Sequence, residues 1–294
     1  IGAARETVLT LEGVEAGDYP VPPHVDRDGC GWPVALEVSA GEDWQSGYYD
    51  ICLTDSAGEQ THHFVCIRPA PGTTGSKAVM VLSANTYHSY NWWGGANAYS
   101  NVTGLMNGTV PFAQAMDEAI GVLSTQRPFV QMIIAPPENP PRLVNMRKRE
   151  FREKPWAADP KFMREHSVSP DDGSAGFLHK WEHAFVAWAE TEGYVLDFVT
   201  DYDLDVDQSI LAHYESAYFV GHSEYWSGNE RTQVERFVDA GGNIAILSGN
   251  TCFWKVRWED EGRTYVCHKW KGFDAEDVPA DQATHLWSHS AFGA

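Results

Sequence analysis

The chain has 294 residues, a length that suits two domains because single domains most often contain roughly 100–150 residues. Hydrophobic residues make up 43% of it and the formal net charge is −20, which excludes an intrinsically disordered chain and disfavours nucleic acid and anionic membranes as partners. No stretch approaches the ~20 uninterrupted apolar residues of a membrane-spanning helix, so we expect a soluble, cytoplasmic protein.

Residues 1–70 predict a small β-sandwich-like domain. Short runs in this part alternate apolar and polar residues and are broken by Gly, Pro and Asp, as in half-buried strands. Residues 44–49 and 63–67 predict two neighbouring strands joined by an acidic, Gly-containing turn. The alternating runs are residues 7–11, 34–38 and 47–53.

The five cysteines lack the C-x-x-C spacing of a zinc cluster, and their odd number argues against a full disulfide framework. Cys52 and Cys66 lie in two strand-like apolar runs, where a free cysteine is usually a small buried hydrophobe. A bridge between these two residues is the alternative. The other cysteines are Cys30, Cys252 and Cys267.

Residues 77–294 predict an α/β domain with a mostly parallel sheet and flanking helices, after a Pro- and Gly-rich linker at residues 69–76. Residues 78–82 are a continuous apolar run, typical of a parallel strand buried on both faces. Strand and helix patterns then alternate, which implies right-handed crossovers. The predicted strands are residues 195–199, 217–221 and 243–247, and the predicted helices are residues 181–192 and 230–240.

Three segments of this domain carry more specific expectations. The helix at residues 181–192 should bury its apolar residues at three-four spacing. Residues 136–180 are rich in Pro and charge and should form a long cover over the sheet. Residues 285–294 end without a helix cap or polar tail, so we expect a chain truncated at its C-terminus. The apolar positions of the helix are Trp181, Ala184, Phe185, Trp188 and Ala189.

Three loops rich in polar and aromatic residues follow predicted strands, at residues 85–99, 221–227 and 248–254. Ligands of parallel α/β sheets bind beyond the carboxyl ends of the strands, where such loops converge. The sequence therefore predicts a site at this edge. Neither of the Gly-Gly pairs, at residues 94–95 and 241–242, has the spacing of a phosphate loop, so both are interpreted as turn or cap glycines.

The loops resemble the N,N-dimethylformamidase large (beta) subunit family. The matching motifs are T-Y-x-x-Y-N-x-W-G-G from Thr86, G-H-S-E-Y-W-S from Gly221 and S-G-N-T-C-F-W-K-V-R from Ser248, and the resemblance runs from about residue 44 to about residue 258. It implies a class I glutamine-amidotransferase-like fold and a hydrolase of small formamides at a mononuclear Fe3+. The characterised enzymes have a small partner subunit, and whether this chain has one or forms a homo-oligomer stays open.

Carried onto this sequence, the resemblance implies that Glu224 is the carboxylate ligand of the iron and that Tyr90 and Tyr99 are its phenolate ligands. Before its last Tyr the family has Ser and Leu, which this chain lacks, so Tyr87 is the substitute for either tyrosine. Phenolate and carboxylate oxygens are hard donors that suit a trivalent iron. A metal at this site could polarise an amide carbonyl and acidify a bound water.

Two further residues are candidates for catalysis. His222 lies two positions before Glu224 and would face the same side of an extended strand, where it could orient water or move protons. Asn250 could hydrogen-bond the site from the third loop. The alternative for His222 and Glu224 is a role at the start of the next helix, where Ser227 and Glu230 predict a capping box.

Other interpretations of the same residues remain. Tyr87 and Tyr90, taken singly, could be packing residues. Cys252 could suggest an amidotransferase-like nucleophile, but no glycine elbow surrounds it, so a structural role is favoured. The twelve tryptophans in a Gly- and Asn-rich setting would also suit a non-catalytic carbohydrate- or small-ligand-binding module.

Overall fold

The computed structural model describes residues 1–41, 43–99, 121–134, 176–178 and 181–269, and positions 274, 278–279, 281–284 and 287. Apart from residues 176–178, the expected cover at residues 136–180 lies outside the described residues, and so does the expected chain end at residues 285–294 apart from position 287. No helix in the described part is long and apolar enough to cross a membrane.

The strands are β1 (Gly47–Thr54), β2 (Gln60–Ile67), β3 (Ala78–Leu82), β4 (Val122–Ser124), β5 (Asp197–Thr200), β6 (Ser216–Gly221), β7 (Tyr225–Ser227), β8 (Asn243–Ser248), β9 (Trp254–Glu259) and β10 (Thr264–Val266). The helices are α1 (Val25–Asp28), α2 (Ala84–Tyr90), α3 (Gln131–Ile134), α4 (Glu182–Thr191), α5 (Asp201–Val206) and α6 (Gly228–Asp239), with 3-10 turns at Ile210–His213 and Asp260–Gly262.

A parallel sheet of four described strands, in the order β5-β3-β6-β8, forms the centre of the fold. The central strand β3 is an apolar run, and four of its five side chains are buried. The predicted parallel α/β sheet is confirmed, and the strands and helices predicted for residues 77–294 lie within two residues of the observed ones. A glutamine-amidotransferase-like topology stays a prediction.

A second sheet, in the order β4-β10-β9-β7, lies beside the first. Its strands β4, β10 and β9 pair antiparallel, whereas β9 and β7 pair in parallel. Strand β7 begins four residues after β6 ends, so a single turn connects the two sheets. Ser227 and Glu230 then start α6 with the predicted capping box.

The predicted β-sandwich is not confirmed by the described residues. Strands β1 and β2 form the expected antiparallel hairpin, but residues 7–11 and 34–38 form no strand and leave their large apolar side chains exposed. A run of alternating apolar and polar residues forms a strand only where a neighbouring strand is available to pair with it. Tyr48 of β1 is buried in the same cluster as Met80 of β3, and the predicted domain boundary between residues 70 and 77 stays a prediction.

The hairpin also excludes the bridge considered between Cys52 and Cys66, and all five cysteines are free. Cys52 pairs with His62, whereas Cys66 pairs with Tyr48. The two cysteines are therefore separated by four positions along β2, or about 13 Å. A disulfide requires Cα atoms within about 7 Å of each other.

Helix α4 buries a different face from the one that its aromatic residues predicted. Val186 is fully buried and Ala189 and Glu182 lie beside it, whereas Trp181 is exposed and Trp188 is 54% exposed. The predicted buried face is confirmed only in part, because Ala189 is buried and Phe185 packs against the core, whereas Trp181, Ala184 and Trp188 are exposed. The smaller side chains allow close packing against the sheet, and the indoles lie at the rim.

This difference gives a direct test of the packing. We expect Val186→Ala to lower the free energy of unfolding by about 2 kcal/mol, because it removes two buried methyl groups and leaves a cavity. Trp188→Ala, although it removes a much larger side chain, should cost less than about 1 kcal/mol. Urea unfolding followed by circular dichroism measures both. The reverse order of costs would mean that α4 packs through its aromatic face.

Candidate functional site

Three loops converge at the carboxyl end of the central sheet, as the sequence predicted. Helix α2 follows β3 directly, residues 222–224 follow β6, and residues 249–252 follow β8. These three strands are neighbours and run in parallel, so their ends lie side by side. Chain topology alone brings residues separated by more than 130 positions to one edge.

Three side-chain oxygen atoms meet at this edge. Tyr99 Oη lies 2.9 Å from Glu224 Oε2 and 3.0 Å from Tyr90 Oη, and Tyr90 Oη lies 3.2 Å from the same Glu224 oxygen. Glu224 is 3% exposed and Tyr90 is buried. The structure thus brings together the three residues that the resemblance implied as ligands, and it places them in mutual contact.

His222 completes this group from the side of β6. Its Nε2 atom lies 3.4 Å from Tyr90 Oη and 3.5 Å from Glu224 Oε2. Its Nδ1 atom lies 3.1 Å from the carbonyl oxygen of Gly249, which can only accept a hydrogen bond. Nδ1 is therefore assigned a proton, and Nε2 faces the oxygens of Tyr90 and Glu224.

Helix α2 holds the turn that carries His222 and Glu224. The Thr86 hydroxyl donates to the His222 carbonyl at 2.6 Å, and the Asn85 amide donates to the Tyr225 carbonyl at 2.9 Å. The second carboxylate oxygen of Glu224 accepts a hydrogen bond from Trp254 Nε1 at 3.0 Å. Both oxygens of the buried carboxylate are thereby occupied, which limits the cost of removing it from water.

Burial favours the protonated form of the tyrosines at the site. Burial raises the pKa of the Tyr99 phenol well above its usual value, and the neighbouring Tyr90 and Glu224 raise it further. Burial likewise raises the pKa of Tyr225, beside the same group. In this structure Tyr99 is therefore a phenol, and its hydroxyl donates to Glu224.

Sequence reasoning missed Lys269, a buried cation of the site. Its Nζ atom lies 3.3 Å from the ring centroid of Tyr99 and between 5.1 and 5.3 Å from the rings of Trp254 and Tyr225. Lys269 follows β10 and lies outside the three motif-bearing loops. No local pattern distinguishes it from a surface lysine, so only the fold could identify it.

Two of the predicted site residues are not brought to Glu224. The Tyr87 ring packs edge-on against Phe64 at 5.6 Å, and its hydroxyl interacts with the carboxylate of Glu182. Asn250 is exposed and adopts a left-handed backbone, with φ of 51°. The preceding carbonyl, from Gly249, is the group of this loop that contacts His222. Every residue has a main-chain carbonyl, so the sequence could not identify this acceptor.

The arrangement fits a hard metal ion. Within the described part of the chain, no three His, Cys, Asp or Glu residues converge as a metal site. The converging donors include two phenols instead, and hard oxygen donors suit a hard cation. The three oxygens lie 2.9–3.2 Å from one another, so all three could contact one ion.

Comparison with known protein families finds a match over nearly the whole chain. The family model described as N,N-dimethylformamidase beta subunit-like, C-terminal, matches residues 2–294, which is nearly the whole chain. No curated protein matches the sequence. The match extends beyond the three motif-bearing loops, to the hairpin and both sheets.

The third loop also contains Cys252, the rival nucleophile. Its thiol is partly buried, and burial raises its pKa from the usual 9.0 to about 12. The nearby Glu230 carboxylate acts in the same direction. A catalytic cysteine requires the opposite shift, because the thiolate is the nucleophile. The surroundings of Cys252 favour the structural role.

This difference in pKa predicts a slow reaction with iodoacetamide. The rise to about 12 lowers the thiolate fraction of Cys252 at pH 8 about a thousandfold. We expect the exposed Cys52 to be alkylated about a hundredfold faster or more, as measured by mass spectrometry of the digested protein. Labelling of Cys252 as fast as Cys52 would instead support an activated cysteine.

Proposed function

Because the chain belongs to the N,N-dimethylformamidase beta subunit-like, C-terminal family, we propose that it hydrolyses the C–N bond of a small, formamide-like amide. We further propose that a mononuclear Fe3+ is held by Tyr90, Tyr99 and Glu224. The observation that carries this proposal is the convergence of their three oxygen atoms within 3.2 Å of one another. The family also supports a role as a hydrolase subunit, and assembly with a different, small subunit stays a prediction.

Three anionic ligands would balance the charge of Fe3+, and the cation would favour the ionised phenols that burial alone disfavours. When bound, the ion supplies Lewis acidity, which polarises a carbonyl and acidifies water. Trp254 Nε1 donates to the oxygen of Glu224 that faces away from the tyrosines. This hydrogen bond leaves Oε2 oriented towards the two phenols.

His222 is the proposed proton acceptor. Its Nε2 atom faces the oxygen cluster, and the Gly249 carbonyl fixes the ring through Nδ1. A water molecule attacking the amide carbon must lose a proton, and the departing amine must gain one. A histidine held in a single tautomer can accept the first proton and deliver it to the amine nitrogen.

The surroundings favour a small substrate. Buried aromatic rings of Tyr225 and Trp254 flank the cluster, and Glu224 is almost wholly enclosed. Tyr99 and His222 are partly exposed, so the opening lies on their side. Trp254, which donates a hydrogen bond to the carboxylate, is buried and cannot offer a stacking face to a sugar. We therefore do not propose the carbohydrate-binding module.

The decisive test of the metal site is Glu224→Gln. The change keeps the shape of the side chain but removes one of three negative charges, so iron affinity should collapse. We expect about one iron per chain in the wild type and less than about a tenth in the mutant, by elemental analysis. The wild type should also be coloured by charge transfer from phenolate to Fe3+.

The matched control is Glu235→Gln, which removes an exposed carboxylate that pairs with Arg231 on α6. It should retain iron and colour. Far-UV circular dichroism must show that the Glu224 variant is folded. An iron content equal to that of the wild type would exclude Glu224 as a ligand, and a colourless, metal-free wild type would overturn the proposed iron enzyme.

His222→Gln separates proton transfer from metal binding. We expect iron content and the visible band to be retained, because His222 is not a proposed ligand. The rate of N,N-dimethylformamide hydrolysis should fall about a hundredfold or more, since general base catalysis contributes about 10²–10⁴. Amine release from a panel of small amides measures the rate. An unchanged kcat would show that another group moves the proton.

A further inference from the structure

A single buried arginine holds the loop between the two candidate tyrosine ligands. Arg127 is 4% exposed, and its hydrogen bonds to the described residues all go to main-chain carbonyl oxygens. Three of the four acceptors belong to residues 91–96, within the loop that separates Tyr90 from Tyr99. The acceptors are Asn91 at 2.9 Å, Trp93 at 2.5 Å, Ala96 at 3.0 Å and, on β4, Ser124 at 3.1 Å.

A second buried side chain, Asn97, cross-links the ends of the same loop. Its Nδ2 atom donates to the Tyr90 carbonyl at 3.1 Å, and its Oδ1 atom accepts from the Tyr99 amide at 2.9 Å. The main chain closes the loop beside it, because the Ala98 amide donates to the Ser89 carbonyl at 3.0 Å. The two tyrosines thus occupy the ends of a closed loop fixed from both sides.

The chemistry of Arg127 suits this task. Burial lowers the pKa of its guanidinium to about 10, so the group remains a cation at neutral pH. Burying a cation is costly unless its donors are satisfied, and charge-assisted hydrogen bonds to four carbonyls offset that cost. The planar fork can hold several acceptors in fixed directions, which the flexible ammonium of a lysine cannot do.

Arg127 also connects the loop to a rigid support. It lies three residues after the end of β4, which pairs with β10 in the second sheet. Its Nε atom donates to Ser124 at the end of that strand. The position of the tyrosine loop is therefore set relative to the second sheet as well as to α2.

We propose that Arg127 is a positioning residue that fixes the spacing of the Tyr90 and Tyr99 hydroxyls. It touches neither hydroxyl and acts only through the loop. Its consequence for iron affinity rests on the proposed function, whereas the spacing itself does not. A merely structural arginine would lower stability when replaced but would leave the two phenols unchanged in the folded protein.

The test uses Arg127→Lys, which keeps the charge and removes the fork. Metal-free protein containing 3-fluorotyrosine is examined by ¹⁹F NMR, with signals assigned through Tyr90→Phe and Tyr99→Phe. We expect the Tyr90 and Tyr99 signals to shift or split and the remote Tyr214 signal to stay. Added Fe3+ should bind about tenfold more weakly or worse, the usual effect of losing a group that orients metal ligands.

Asn97→Asp carries the test if the lysine variant does not fold. The variant keeps the side-chain oxygen that accepts from the Tyr99 amide but loses the NH2 group that donates to the Tyr90 carbonyl. The ¹⁹F signals of Tyr90 and Tyr99 should therefore shift or split. Arg231→Lys, on α6, is the matched control and should move neither.

Unchanged Tyr90 and Tyr99 signals in a folded variant would overturn the proposal, even if its stability fell. Shifted signals together with a wild type that binds no iron would support the positioning role and overturn the proposed function.

Discussion

A carboxylate buried against two phenols is the interaction on which the site depends. Glu224 is almost completely buried. One of its oxygens accepts a hydrogen bond from Trp254, and the other accepts hydrogen bonds from Tyr90 and Tyr99. A buried negative charge must be balanced by donated protons or by a cation. In this structure the phenols of Tyr90 and Tyr99 donate those protons.

Helix α2 connects the site to the rest of the fold through hydrogen bonds at both of its ends. Its C-terminal end supplies Tyr90, and its first turn holds residues 222–225 through Asn85 and Thr86. Two buried acidic side chains accept from main-chain amides at its N-terminal end: Asp201 accepts from Asn85 at 2.9 Å, and Glu182 accepts from Ser83 at 3.4 Å. Burial raises the pKa of Glu182 to about 7, because little water is left to stabilise its charged form.

The site lies where the two sheets meet. The central sheet supplies His222 and Glu224 from the end of β6, and the second sheet supplies Trp254 and Tyr225 from paired positions on β9 and β7. Ligand-binding groups at the carboxyl ends of parallel strands are expected for an α/β protein. The second sheet adds the aromatic enclosure, and Lys269, just beyond β10, adds a buried positive charge beside the Tyr99 ring.

The sequence alone determined the parallel strands, the capping box of α6 and the loops that carry Tyr90, His222 and Glu224, because buried strands, caps and motif-bearing loops are encoded in local runs. Only the tertiary structure decided which face α4 buries, that residues 7–11 and 34–38 form no strand, and that Asn250 turns outward. Local sequence patterns are compatible with more than one of these outcomes. Strand partners, packing neighbours and the direction of a turn are set by residues distant in the chain, which periodicity cannot report.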